Sequence, residues 1–429
     1  MESYSIPISF NFAPGDGSYE NTERFAFWAS PNTMQWFKTR GYILYQRSLD
    51  ESGDSSFPSI PSKVEFAEAE YPYACYDTET VELPETPVPL RAWDMTGKVG
   101  YAQDSLGRHV AIKIVPKETD EYRILQFLNQ QKLETLKENC VVPVLELLPN
   151  EDFWFAVMPR WAAYIDNPEP QYLHEIVTMI HSLLKGMNYL HEHNIVHGDI
   201  NEGNFLVNHI SDMHWRCTKR SRLRAKKSLL YALFDFDLSI MAPPNIDKKD
   251  FRLPAYKSWG SFNVSNDTAA GEHDYNPFIL DVGSMGVYLC QNYQHMTDLL
   301  PILAPLLDMM TCWDLRRRFT ASEALQFLED RMAEISEADL ASKIVLTKPR
   351  DPYKKYNECD RWENLSPEFV ERWQAYRETP LPWHIPLLRR VCKTQLGTLI
   401  VLRTRAFVFK FTSLPRRLHR WLVPAKIAL

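Results

Sequence analysis

The stretch IVHGDINEGNFLVN, from Ile195 to Asn208, places one His, one Asp and two Asn between two apolar runs. Such a polar run predicts a loop held between two buried elements, and loops of this kind often carry chemistry. Asp199 is the candidate general base, and Asn204 follows it five residues later. We interpret His197 as a residue that packs and hydrogen-bonds inside the loop.

The length of the chain, 429 residues, predicts two lobes with extensions rather than one core. A hydrophobic content of 45% suffices for packed interiors, so we expect a globular protein. The seven Cys are scattered without a C-x-x-C pair, which indicates reduced thiols and a cytoplasmic or nuclear location. The N-terminus lacks a signal-peptide pattern, and no uncharged apolar run reaches about 18 residues, so we expect no membrane span.

Charge is unevenly distributed along the chain. Residues 50–89 contain ten acidic residues and one Lys, whereas the chain after Glu378 contains ten Lys and Arg and no acidic residue. Two solvated flanks of opposite sign are the simpler interpretation, and a dedicated partner site is the alternative. Three alternatives remain for the basic tail, residues 379–429: it binds the acidic segment, it binds anionic lipid, or it binds no partner.

A second basic run lies between FLVN and YALFDF, within residues 216–227. Six of its cations lie between residues 219 and 227: Lys219, Arg220, Arg222, Arg224, Lys226 and Lys227. A nuclear-localisation or nucleic-acid patch is one interpretation, although such runs are more often solvated loops.

The order of predicted elements indicates an α+β fold. The predicted strands are HVAIKIV, CVVPVLELL and FWFAVMP, and the predicted helix TDEYRILQFLNQ lies between the first two. Helices dominate after Trp161, and the predicted ones include YLHEIVTMIHSLLKGMNYLHEH, FILDVGSMGVYLCQNY and ASEALQFLEDRM. We therefore predict a bilobal fold with a cleft between a small β-rich lobe and a larger helical lobe. The predicted boundaries are 1–90 for an N-terminal extension with an aromatic cluster and an acidic, Pro-rich linker, 91–160 for the β-rich lobe, 161–333 for the helical lobe and 334–429 for a C-terminal extension.

Phosphoryl transfer needs a cation for phosphate oxygens, oxygen ligands for magnesium and a base beside the attacking hydroxyl. Lys113 lies in a predicted buried strand, where an unpaired ammonium would be costly, and Glu121 is its candidate partner. Asn204 and Asp235, the latter directly after the apolar run YALF, are candidate magnesium ligands. Taken singly, Lys113 could be a strand lysine that reaches solvent, Glu121 a surface residue and Asp235 a turn residue.

Six motifs in this order resemble those of eukaryotic-type protein kinases, over roughly residues 91–333. The motifs are VAIK, DEYRIL, HGDINEGN, DFD, DVGSMG and DLRRRFTASEAL. The resemblance implies a nucleotide pocket built from Gly97, Gly100, Ala111, Lys113, Met158, Pro159 and Trp161, with Asn204 and Asp235 on Mg²⁺. It also implies that Asp281 braces the catalytic loop and that Arg318 is a buried structural arginine, with Glu272 as the candidate for its partner.

The chain departs from the kinase pattern at several positions. Gly198 replaces the Arg of H-R-D, and Asn201 stands where many serine/threonine kinases place a Lys near the γ-phosphate. Asp237 replaces the Gly of D-F-G, as a further metal ligand or as a turn cap. MTGKVGYAQD offers only Gly97 and Gly100 for the phosphate cover, and no A-P-E motif precedes DVGSMG.

Three functions are compatible with this pattern. The first is an ATP- and Mg²⁺-dependent protein kinase that phosphorylates Ser or Thr of protein substrates. The second is a pseudokinase that acts as a nucleotide-binding or scaffolding module. The third is a small-molecule kinase of the aminoglycoside or choline type. The motifs DVGSMG and RRRFTASEAL disfavour it, because they resemble the helical lobe of protein kinases.

Overall fold

A computed structural model describes residues 5–8, 10, 22–47, 58–61, 70–77, 89–92, 96–211, 218–258, 265–344 and 356–422. Most of the acidic segment therefore lies outside the described residues, as do residues 216–217 of the basic run and the last seven residues of the basic tail.

The N-terminal half contains the following elements: α1 (Thr22–Ala29), α2 (Pro31–Lys38), β1 (Ile43–Leu44), β2 (Ser59–Pro61), β3 (Cys75–Asp77), β4 (Pro89–Arg91), β5 (Val99–Gln103), β6 (His109–Pro116), α3 (Asp120–Asn129), α4 (Leu133–Glu138), β7 (Glu146–Pro149) and β8 (Phe153–Pro159).

The C-terminal half contains α5 (Leu173–Glu192), β9 (Ile195–Val196), β10 (Phe205–Val207), β11 (His209–Ser211), α6 (Thr218–Ala225), β12 (Tyr231–Leu233), β13 (Ile240–Met241), β14 (Leu253–Pro254), β15 (Asp274–Tyr275), α7 (Pro277–Tyr293), α8 (Leu303–Thr311), α9 (Ala321–Met332), α10 (Glu337–Leu340), α11 (Pro367–Trp373), α12 (His384–Val391) and α13 (Gln395–Leu422).

The β-rich lobe is built on an antiparallel sheet with the strand order β1-β5-β6-β8-β7. The β-branched run of β6 is almost entirely buried, because strands cover both of its edges and side chains pack on both of its faces. Strand β1 lies within the predicted N-terminal extension, residues 1–90. The sheet thus begins well before residue 91, and the extension supplies one of its edges.

The aromatic cluster of the N-terminal extension packs on this sheet. The rings of Trp36 and Phe37 lie 5.2 and 5.0 Å from that of Phe155 in β8, and the ring of Trp28 lies 6.3 Å from it. All three side chains are buried in one apolar cluster with the inner residues of β5, β6 and β8. Helices α1 and α2 are therefore part of the lobe's core.

The helical lobe is organised around α5, a 20-residue helix that has an apolar face, as its periodicity predicts. Helix α9 packs beside it, and β10 pairs with β12 below the cleft. The capping box of Thr320 and Glu323 begins α9 where the sequence predicts a helix. A β-rich lobe and a helical lobe are both present, so the predicted bilobal α+β class is confirmed.

The basic run has a structural role that the sequence did not predict. It forms α6, in which Arg220 and Arg224 are buried. Arg220 donates to the carbonyl oxygens of Tyr164 and Asn167 at 3.1 and 2.8 Å, and Arg224 donates to that of Ile165 at 2.7 Å. These two cations satisfy loop carbonyls inside the protein, so they form no part of a solvated loop or of an exposed basic patch.

The C-terminal extension docks on the helical lobe. Arg361 forms a buried ion pair with Asp308 of α8, and Val401 of α13 packs against Gly271. Among helices within the described ranges, none combines the length and apolar character that crossing a bilayer requires. The six cysteines inside those ranges are all free thiols.

Candidate active site

Lys113 contacts two carboxylates, one from each lobe. Its Nζ donates to Glu121 of α3 in a short hydrogen bond and to Oδ1 of Asp235 at 2.6 Å. Helix α3 begins at Asp120 because Thr119 Oγ1 accepts from the Tyr122 amide at 3.2 Å, and this cap places Glu121 in the first turn, facing β6. The structure thus brings together three residues that are separated by up to 122 positions in the chain.

Burial and charge act on this cluster in opposite directions. Burial disfavours the charged form of Lys113, but the carboxylates of Asp235 and Glu121 outweigh it and raise the pKa of Lys113. Burial also acts to raise the pKa of Asp235, and the Lys113 ammonium reverses that effect and lowers it. Glu121 is 5% exposed, and its burial raises its pKa to about 7 against the attraction of Lys113. The lysine therefore stays charged in a deeply buried position.

The predicted catalytic loop, residues 197–204, is braced by Asp281 of α7. Oδ2 of Asp281 accepts from the amide of His197 at 2.7 Å, and Oδ1 accepts from the amide of Gly198 at 2.9 Å. His191 Nε2 lies 3.0 Å from Oδ2, so this buried carboxylate has three partners. Asp281 takes the bracing position that the resemblance implies.

The two carboxylate oxygens of Asp199 differ in their hydrogen bonds. Oδ2 accepts from Asn204 Nδ2 at 2.9 Å, whereas Oδ1 is buried without a hydrogen-bond partner. Burial raises the pKa of Asp199, although His197 and Asn204 oppose the shift. An orphaned buried acceptor is costly in a protein interior, so Oδ1 suits a site where a hydroxyl donor binds.

Gly198 is required by the backbone of this loop. Its φ is +77°, and a Cβ at this position would lie 2.5 Å from the carbonyl oxygen of Leu238. A side chain such as the Arg of H-R-D would therefore meet both backbone strain and a fixed carbonyl.

The two candidate magnesium ligands lie beyond the ends of paired strands. Phe205 of β10 lies opposite Leu233 of β12, and the Phe234 amide donates to the Asn204 carbonyl at 3.2 Å. Asp235 has a φ of +69°, a sparsely populated conformation that often marks functional sites. In the described part of the chain no three His, Cys, Asp or Glu side chains form a metal cluster. Mg²⁺ in proteins is commonly bound by one or two carboxylates plus substrate phosphates and water, so this pair fits it.

Three residues of the predicted nucleotide pocket, Met158, Pro159 and Trp161, lie at the end of β8 or just after it. Met158 is buried and lies opposite Ala111 of β6, and Pro159 lies opposite Val110. The backbone N–H and C=O of Trp161 make no hydrogen bond with other described residues, whereas the indole Nε1 donates to the Pro72 carbonyl at 2.8 Å. A free backbone donor and acceptor at this position suit the edge of a planar heterocycle such as adenine.

The two glycines of the predicted phosphate cover are packed against α1. A Cβ on Gly97 would lie 2.6 Å from Cβ of Arg24, and one on Gly100 would overlap the Trp28 ring. Trp28 Nε1 also donates to the Gly97 carbonyl at 2.9 Å. The close approach of α1 alone requires glycine at both positions, whether or not phosphate binds there.

The buried arginine of the helical lobe has a different partner from the one expected. Arg318 donates to both carboxylate oxygens of Asp267 at 2.6 and 2.8 Å, and the two side chains are 0% and 5% exposed. The assignment of Glu272 is therefore wrong. Glu272 instead lies 3.2 Å from Arg405 of α13 in a more exposed pair. Both acids precede α7, and spacing alone did not distinguish them.

Two residues that belong to or contact the glycine segment, residues 96–100, were not predicted as part of the site. Lys98 of the glycine segment lies 3.0 Å from Asp237, and Trp28 lies on an element about 70 residues earlier in the chain. The lysine between Gly97 and Gly100 was a visible signal, whereas nothing local to Trp28 marks it as a neighbour of that segment.

Comparison with known proteins supports the kinase resemblance. The family model described as protein tyrosine and serine/threonine kinase matches residues 95–221. A probable cell division control protein 7 homolog (homolog 2) of Encephalitozoon cuniculi (strain GB-M1) is 31% identical over 107 residues, which are 24% of this chain and 29% of that protein. Serine/threonine-protein kinase GRIK1 of Arabidopsis thaliana is 31% identical over 104 residues, 22% of this chain and 26% of that protein.

These matches span less than a third of the length of each relative. The family match, residues 95–221, contains the motifs VAIK, DEYRIL and HGDINEGN. The predicted resemblance to a eukaryotic-type protein kinase domain is confirmed.

Proposed function

We propose that the chain transfers the terminal phosphoryl group of Mg-ATP to Ser and Thr hydroxyls of protein substrates. The observation that carries the proposal is the contact of Lys113 with both Glu121 and Asp235, which links the two lobes around one buried ammonium. A lysine held between carboxylates at a cleft is positioned to bind phosphate oxygens while a neighbouring acid binds metal.

Each residue of the site then has a distinct role. Asp199 accepts the proton of the substrate hydroxyl at Oδ1, the oxygen that has no partner among the described residues. Asn204 holds Asp199 through Nδ2 and presents its amide oxygen, which accepts no hydrogen bond from described residues. Trp161 offers its backbone to the adenine edge, and Asp281 keeps the loop in place. A bound magnesium ion, with Asp235 and Asn204 as ligands, would neutralise phosphate charge.

The experiment compares the full chain with two variants. The assay supplies Mg²⁺, γ-labelled ATP and generic basic and acidic protein substrates. Asp199→Asn should lose about 10²–10⁴-fold of phosphoryl transfer while it still folds, because general-base catalysis has that magnitude. Lys113→Met should lose the thermal shift that Mg-ATP causes in the wild type. Lys393→Met, at an exposed position of the C-terminal extension, is the matched control.

The outcomes separate the three functions. Equal incorporation by wild type and Asp199→Asn would reject catalysis, and a retained ATP shift would then support the pseudokinase. Phosphate on a small metabolite instead of a polypeptide would support the small-molecule kinase, which the buried Arg318–Asp267 pair of the helical lobe disfavours.

A further inference from the structure

An ion pair between Lys98 and Asp237 crosses the cleft. Nζ of Lys98, which precedes β5, lies 3.0 Å from Oδ2 of Asp237, and the side chains are 11% and 14% exposed. Lys98 belongs to the β-rich lobe, and Asp237 follows β12 in the helical lobe. Asp237 stands where the kinase resemblance has glycine, so the pair is specific to the departures of this chain.

Lys98 lies beside the phosphate lysine. Strand β5 pairs with β6 so that Val99 lies opposite Lys113, and the Ile114 amide donates to the Lys98 carbonyl at 3.4 Å. Its partner Asp237 is two residues from Asp235, whose carboxylate contacts Lys113. The ammonium groups of Lys98 and Lys113 are thus both bound to acids of one three-residue segment.

The predicted catalytic loop, residues 197–204, contains no Lys or Arg. The Asn201 side chain is used for loop structure: Nδ2 donates to the Asp199 carbonyl at 3.2 Å, and Oδ1 accepts from the Gly203 amide at 2.9 Å. An amide in this arrangement cannot neutralise a terminal phosphate. If the site transfers a phosphoryl group, any positive charge on the terminal phosphate beyond that of Lys113 and the metal comes from a residue outside this loop.

The segment that carries Lys98 is fixed from outside. Arg24 Nη1 donates to the Thr96 carbonyl at 3.2 Å, and Trp28 Nε1 donates to the Gly97 carbonyl at 2.9 Å. These contacts from α1 immobilise the backbone on either side of Gly97. A lysine on a fixed backbone loses less entropy on binding than one on a mobile glycine loop.

We infer that Lys98 is a second phosphate-binding cation of this site, which exchanges Asp237 for the γ-phosphate of a nucleoside triphosphate. It provides the positive charge that Asn201 does not. The inference rests on the proposed function, since it names the group that distinguishes a triphosphate from a diphosphate in the same cleft. Asp237 holds the ammonium in position and competes with the phosphate for it.

The test measures the affinities of the full chain for ATP and for ADP, each with Mg²⁺, by calorimetry. Lys98→Met should weaken ATP binding about tenfold or more and leave ADP binding within about twofold, because a charge-assisted hydrogen bond to the γ-phosphate is lost. Lys113→Met should weaken both nucleotides. Lys117→Met, an exposed lysine just beyond the end of β6, should change neither.

A second variant tests the competition. Asp237→Asn should tighten ATP binding several-fold, because the carboxylate no longer holds Lys98. Weaker ATP binding in Asp237→Asn, with a higher Mg²⁺ requirement, would assign Asp237 to the metal and overturn the exchange.

The remaining outcomes separate the inference from the proposed function. Equal loss of ATP and ADP affinity in Lys98→Met, or no loss of either, would overturn the inference even if the wild type transfers phosphate. Selective loss of ATP affinity in a protein without transfer activity would uphold the inference and reject the kinase. Absence of binding of either nucleotide by the wild type would overturn both.

Discussion

The catalytic loop and the glycine segment face each other across the cleft and are held in place by different means. The catalytic loop is braced by Asp281, a residue of its own lobe, through buried hydrogen bonds at 2.7 and 2.9 Å. The glycine segment, residues 96–100, is braced by Arg24 and Trp28, which belong to the N-terminal extension. One half of the site is supported within its lobe, and the other depends on an added element.

This difference explains how a cover with few glycines can exist. Three glycines allow a loop to close around phosphates by its own backbone freedom. Here α1 fills the space outside Gly97 and Gly100, so the segment has one fixed shape. We expect changes in the extension to act on nucleotide binding, and changes around Asp281 to act on the chemical step.

Two ion pairs near α7 show the same contrast between support within a lobe and support from an extension. The pair within the lobe gives the largest expected loss of stability. Asp267→Ala leaves the Arg318 charge buried without a carboxylate partner. The free energy of unfolding should therefore fall by about 3–5 kcal/mol. Glu272→Ala removes a more exposed tie to α13 and should cost about 1 kcal/mol or less. Chemical denaturation of both variants measures the difference. Similar losses would show that the tie to the extension matters as much as the pair inside the lobe.

Removal of the Trp28 side chain should break the support of the glycine segment. Trp28→Ala is expected to cost about 3 kcal/mol, because the side chain is 8% exposed and packs against the sheet. Trp28→Phe keeps most of the ring volume but loses the hydrogen bond to the Gly97 carbonyl. Its free energy of unfolding should fall by about 1 kcal/mol. Thermal unfolding and the KM for ATP measure the effects. A fall in kcat with unchanged KM would contradict the assignment of Trp28 to the nucleotide side.

Acid should weaken the contact of the extension with the sheet. Tyr45 Oη lies 2.6 Å from His109 Nδ1, and burial and the Arg160 guanidinium lower the pKa of His109 to about 3. An unfolded histidine binds a proton near pH 6.5, so the unfolded state binds more protons between these values and stability falls as the pH falls. The loss should reach about 2 kcal/mol at pH 5.

The measurement is the thermal midpoint between pH 7 and pH 5. His109→Gln should flatten the pH dependence, because the replacement does not titrate. His384→Gln, at an exposed position in α12, is the control and should leave the slope unchanged. An unchanged slope in His109→Gln would assign the acid sensitivity to other groups, such as His209, whose pKa burial and Arg220 also lower to about 3.

Two glycines with nearly the same φ, Gly198 and Gly107, test the effect of a neighbouring carbonyl. Gly198 and Gly107 have φ values of +77° and +78°, but only Gly198 has a carbonyl, that of Leu238, within reach of a new Cβ. In both Ala variants the strain of a left-handed backbone should lower the free energy of unfolding by about 1–2 kcal/mol. Gly198→Ala should lose further stability through its contact with the Leu238 carbonyl, and its transfer activity should fall. Denaturation and transfer assays on both variants test this. Equal losses would mean that the Leu238 carbonyl moves freely.

The sequence predicted elements with strong local signals. Helices α3, α5, α7 and α9 lie at the predicted positions. Of the predicted site residues, Lys113 contacts Glu121 and Asp235, and Asn204 contacts Asp199. The sequence did not predict the strand β1, the packing of α1 on Gly97, or the choice of Asp267 over Glu272. Each of these depends on contacts between distant residues, and a spacing rule carries no information about them.

The sequence by itself determined the identity of the chemical groups: one buried lysine, one loop aspartate with its asparagine, and an acid after β12. Periodicity and motif order are local properties, so they can be read without coordinates. Only the tertiary structure decided what supports those groups, namely α1 against the glycine segment, Lys98 on Asp237 and Arg318 on Asp267. Burial and shape select such partners between residues that are far apart in the sequence. Residue type alone does not identify the partner, because the chain contains several acids and aromatics that could make the same kind of contact.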